Sequence, residues 1–107
     1  MATTGKTTVL YNALIVGVGT TFQFQETGGR MGTVQCDMTD SATEGFKMEI
    51  QGRATPSMNW AILGVFDETD MDENDAALLS VRIMPEMRAE VTAVENTPTT
   101  LVCTLVE

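Results

Sequence analysis

Residues 46–53 alternate without a break: Phe46, Met48, Ile50 and Gly52 fall on one side, Lys47, Glu49, Gln51 and Arg53 on the other. A strand turns successive side chains to opposite faces, so this segment predicts a half-buried strand with one wet face. The same alternation recurs at 32–39, with Val34, Cys36 and Met38 against Thr33, Gln35 and Asp37. It returns at 87–94, with Met87, Ala89, Val91 and Ala93 against Arg88, Glu90 and Thr92. No stretch carries the 3.6-residue apolar period of an amphipathic helix. A chain patterned this way can bury its apolar sides only by stacking sheets.

The punctuation agrees. Thr27-Gly28-Gly29-Arg30 supplies the positive φ of a tight turn, and Ala54–Asn59 holds Pro56, Ser57 and Asn59 between two strands. Between the turns, strands are expected at 7–16, 20–26, 32–39, 46–53, 60–66, 78–84, 87–94 and 99–106. Gly17-Val18-Gly19 closes the first of these. The segment from Trp60 to Phe66 has apolar residues in both registers, as a strand covered on both faces would. Trp60, between Met58 and Ile62, reads as a core tryptophan. About eight short strands with regular turns predict an all-β, antiparallel two-sheet sandwich, with jelly-roll connections among the topologies open to it. The expected organisation is a flexible arm at residues 1–6 and one domain at 7–107.

Composition narrows the function. With Lys+Arg 6 against Asp+Glu 15, the net charge is −9, and the few basic residues are scattered. Neither nucleic acid nor an anionic membrane surface suits such a chain, because phosphate binding needs clustered cations. There is no histidine, which removes the commonest general base and metal ligand. Cys36 and Cys103 each sit in an apolar register and read as buried free thiols; a disulfide between them would need an oxidising compartment. The apolar run 9–18 is interrupted by Tyr11-Asn12 and lacks a cleavage signature, so it does not read as a leader, and synthesis in the cytoplasm is expected. Gly5-Lys6-Thr7-Thr8 imitates the end of a phosphate-binding loop, but the earlier glycine such a loop needs is missing.

Three local features invite a functional reading. In the acidic run 67–75, Asp70, Asp72 and Asn74 occupy the first alternating positions of a calcium loop. Asp75 then stands where that loop needs glycine, and Val81 where it needs glutamate. A solvated acidic loop is the simpler reading. Trp60 with Tyr11 would make a sugar-stacking platform if both were exposed. Met31, Met71 and Met87 would mark a subunit contact if they are not core filling. Paired carboxylates for glycoside hydrolysis can be chosen from any acidic chain, and their separation is not readable here. No catalytic residue and no cofactor is expected.

The segments FQFQETGGRMG (22–32), FKMEIQGRATPSMNWAILG (46–64) and RIMPEMRAEVTAV (82–94) together resemble a pattern of small bacteriophage virion proteins. In that pattern a strand and polar turn lead into W-x-x-L, and an arginine-bearing strand and a β-rich end follow. The matching positions are Gly52, Asn59, Trp60, Leu63, Arg88 and Val91, and the likeness spans 20–106. The turn here departs in carrying Pro56 and Met58, and the acidic insertion is longer. The resemblance implies a structural virion component without catalytic residues: a capsid decoration (cement) protein bound to the major capsid protein, or a tail or head-fibre subunit, the latter with host-surface glycan binding as an option. It also implies a homo-oligomer, with a trimer expected. The arm residues Ala2, Thr3, Thr4, Gly5 and Lys6 are the expected partner contact, since a free arm can add a strand to a neighbour.

Overall fold

The computed structural model describes residues 7–12, 17–25, 29–39, 46–67, 70, 76–93 and 100–107. Among these described residues nine strands follow in order: β1 (Thr7–Asn12), β2 (Gly17–Val18), β3 (Phe22–Gln23), β4 (Met31–Thr39), β5 (Lys47–Arg53), β6 (Ala61–Asp67), β7 (Ala76–Arg82), β8 (Glu86–Ala93) and β9 (Thr100–Val106). They form two antiparallel sheets. Sheet A has the order β1-β9-β4-β7, and sheet B the order β2-β8-β5-β6, with β3 also pairing with β8.

β2 and β3 are two pieces of one interrupted strand. Gly17 and Val18 face Val91 and Glu90, Gly19 N–H donates to Ala89 O at 2.8 Å, and Phe22 and Gln23 face Met87 and Glu86. Counted as one, they leave eight strands whose pairings nest: first with last, second with seventh, third with sixth, fourth with fifth. This is the strand order of a jelly roll, a long two-stranded ribbon wound over itself. The hairpin of β5 and β6 is the tip of that ribbon, and its turn is closed by Met58 N–H to Thr55 O at 3.1 Å.

The core lies between the sheets. Leu10, Tyr11, Val34, Cys36, Leu101, Cys103 and Leu105 enter from sheet A, and Met48, Ile50, Phe66, Met87, Ala89 and Val91 from sheet B. The expected alternations face as read over the described side chains 32–38, 46–53 and 87–93, and Gly29, with φ 83°, supplies the expected positive-φ turn. Leu10 and Tyr11 are both buried, because the β1–β9 register slips between Val9 and Tyr11 and leaves one extra residue on β1.

Several boundaries differ from the expectations. β1 is described to Asn12, and the rest of the expected first strand, 13–16, lies outside the described residues; Gly17-Val18 opens a strand instead of closing one. β7 begins at Ala76, because its pairing with β4 extends to Asp37 opposite Ala76. The segment after Trp60 is not covered on both faces. β6 is the edge of sheet B, with Ile62 and Val65 exposed. Its apolar residues fall in both registers because Leu63 is an extra residue: Ile50 pairs with Gly64 and Gln51 with Ile62. At that corner the backbones close up, and a methyl at Gly64 would run into the Leu79 side chain of β7.

Candidate functional site

Each sheet turns one face to the core and the other outward, and the outward faces are the broadest surfaces the described residues offer. On sheet A the register sets three rows across all four strands: Thr7–Val106–Thr33–Ser80, Val9–Thr104–Gln35–Leu78, and Asn12–Val102–Asp37–Ala76. Met31 faces Arg82 at one end. Asp37 and Arg82 are the only charges in this grid. Val9, Val106, Met31 and Leu78 are exposed, Leu78 to 68%. In a chain of net charge −9, a four-stranded outer face without a charge in its middle is a departure from an ordinary solvated surface. Interface centres are depleted in charge in the same way.

The outward face of sheet B is the reverse. Glu49 of β5 lies directly opposite Glu90 of β8, a like-charge pair that would repel. Gln51 resolves it: its Nε2 donates to Glu49 Oε1 and to Glu90 Oε1, each at 2.9 Å, while its Oε1 accepts from Arg88 Nε at 2.7 Å. This pattern also fixes the amide orientation, since the flipped form would aim an oxygen at two carboxylates. Arg53 Nε donates to Glu86 Oε1 at 2.6 Å, and Gln23 reaches the other Glu86 oxygen at 3.5 Å. Gln51 and Glu86 are thereby buried on an outward face, at 5% and 6% exposure. Each is covered by its neighbours and satisfied by them, as buried polar groups must be.

Trp60 lies on this network and not in the core. Its ring has the guanidinium carbons of Arg53 and Arg88 at 4.2 and 4.3 Å from the centroid, and it is half-buried. The core expectation fails because the Met58–Trp60–Ile62 register points outward: Met58 and Ile62 are exposed, and β6 is an edge strand. Tyr11 is buried between the sheets, where burial raises its phenol above the usual range, so the two aromatics form no shared platform.

The remaining expected sites fall as follows. The Asp70 carboxylate accepts from Asp67 N–H at 2.7 Å while Asp70 N–H donates to Asp67 O at 3.1 Å, so Asp70 closes the turn leaving β6. Asp72 and Asn74 lie outside the described residues, as does the arm Ala2, Thr3, Thr4, Gly5 and Lys6. Among the described residues, no three His, Cys, Asp or Glu side chains group around a common point, and no helix is long and apolar enough to cross a membrane. Met31 is exposed and Met87 is core, while Met71 lies outside the described residues. Cys36 and Cys103 are free, fully buried and directly opposite each other on β4 and β9. Burial pushes the Cys36 thiol up to about 12, with nearby Asp37 adding to the effect. The Cys103 thiol is raised further by burial and then by Cys36 and Asp37. Thiols so protonated are core fillers, not nucleophiles.

Sequence reasoning missed the charge-poor face of sheet A and the Gln51 network. Both depend on which strands become neighbours. Comparison with protein-family models, curated proteins and solved structures finds no match to this chain.

Proposed function

We propose that this chain is a non-enzymatic structural subunit of a bacteriophage particle, a decoration protein that seats the outer face of sheet A on the major capsid protein of the head shell. The observation that carries this reading is the pair of uncharged rows of Thr, Val, Gln, Leu and Ser side chains, Thr7–Val106–Thr33–Ser80 and Val9–Thr104–Gln35–Leu78, across four strands. Such a face loses little on desolvation and can lie flat on a lattice, where many copies act together. The resemblance of 20–106 to small virion proteins supplies the kind of lattice, and the jelly-roll strand order is one that capsid proteins share with lectins. That second point is an analogy of fold alone.

The test is to mix the purified protein with mature shells that lack it. Co-sedimentation at a simple ratio to the shell subunit, with a raised temperature of shell disruption, is the expected result. Absence of shell affinity would overturn the proposal.

A tail or head-fibre subunit that touches host glycans is the second reading. It is favoured by Trp60, a half-buried aromatic on the outward side of sheet B beside the Arg53 and Arg88 guanidiniums. Arg53 and Arg88 already cover ring surface that a sugar would stack on, so the shell reading leads.

A further inference from the structure

The four lateral edges of the sandwich are not alike. β1 carries a register slip, β2 and β3 are two residues long each, and β6 carries the extra Leu63. Bulges and short strands are the usual ways to stop an edge from pairing with another chain. β7 has neither. Its seven residues, AALLSVR, pair with β4 from Ala76 to Arg82 without a slip, contain no proline and no lysine, and stay uncharged until Arg82. Leu78, the most exposed large apolar residue described, sits in its middle.

We infer that β7 is an interaction edge, and that its occupant is β7 of a second copy of this chain, paired antiparallel about a twofold axis at Leu79. The register follows from two constraints. Facing residues must point to the same side, so the axis passes through a residue and not between two. An axis at Leu79 alone uses the whole strand, placing Ala77 opposite the partner's Val81 and Leu78 opposite the partner's Ser80. It also places Ala76 opposite the partner's Arg82.

That last pairing is where charge decides. Ala76 is small and lies directly opposite Asp37 of β4. Beside it is a shallow depression of about 350 Å³ lined by Gln35, Asp70, Ala76, Ala77 and Leu78. An arginine reaching over Ala76 enters between two carboxylates. Asp37 accepts from Gln35 at 2.8 Å and Asp70 from Asp67 N–H at 2.7 Å, each through one oxygen. The twofold axis makes this exchange twice, so the edge is complementary to itself. Arg82 is exposed and has no ion-pair partner among the described residues. The pairing would join two four-stranded sheets into one of eight strands, and the inference stands or falls separately from shell docking.

Sedimentation velocity of the intact chain over a wide concentration range is the test, with thermal unfolding confirming that each variant is folded. A reversible dimer is expected. Arg82→Glu and Asp37→Arg should each weaken it by about tenfold or more, given the cross-strand charge term made twice, and the double variant should recover it. Leu78→Lys should weaken it independently. Amide exchange in β7 should slow as concentration rises. A chain that stays monomeric at millimolar concentration overturns the inference. So does a dimer indifferent to all of these substitutions, which would be made elsewhere.

Discussion

The two outward faces come from the same alternation and end in opposite chemistry. On sheet B, Glu49, Gln51, Arg53, Glu86, Arg88 and Glu90 tie one another down until two polar groups are buried by their neighbours. On sheet A the matching positions hold Val9, Thr104, Gln35 and Leu78, side chains with little to offer each other. A face that satisfies itself has no need of a partner, whereas one that is merely uncharged gains when another surface covers it. Sheet B's outer network therefore works for stability, and sheet A's outer face is the one we propose for contact.

Substitutions can break that division. Thr104→Lys puts a charge in the middle of the sheet A grid. It should cost about 100-fold in shell affinity, read by co-sedimentation, with the urea midpoint nearly unchanged. If it lowers stability and leaves docking intact, the roles of the faces are reversed. Gln51→Met tests the other face. It leaves Glu49 opposite Glu90 without a bridge and takes the acceptor from Arg88 Nε. A loss of about 2–3 kcal/mol in urea unfolding is expected, with shell binding unaltered in the variant that remains folded. Smallest is Trp60→Ala, which removes the cover over Arg53 and Arg88. About 1 kcal/mol of stability should go, and a larger fall in glycan retention than in stability would shift weight to the fibre reading.

How much of this was visible beforehand depends on the range of the interaction. Phe46, Met48 and Ile50 declare their side locally, because the strand period is two whatever the fold. Gly29 declares its turn for a similar reason. Trp60 could not be placed that way. Met58, Trp60 and Ile62 look like a core register, and only the position of β6 at a sheet edge shows that this register faces out. Glu49 and Glu90 are far apart in the chain, and nothing near either one announces that they meet across Gln51. The sheet A face is assembled from four distant segments, each of which alone is an ordinary run of Thr, Val and Gln.

The wound ribbon also sets an order of events in the making of the molecule. β9 is the last of the described strands, yet it lies inside sheet A, with β1 on one side and β4 on the other. As the polypeptide lengthens, those two earlier strands have no neighbour to share, and Leu10, Val34 and Cys36 face a core with a wall missing. Sheet A can close only when β9 arrives, so it stays open until residues 100–106 have been made. Contacts between such remote parts of a chain form slowly. For the shell subunit proposed above, which would be made in many identical copies, the half-made form is exposed for longest when its neighbours are most crowded.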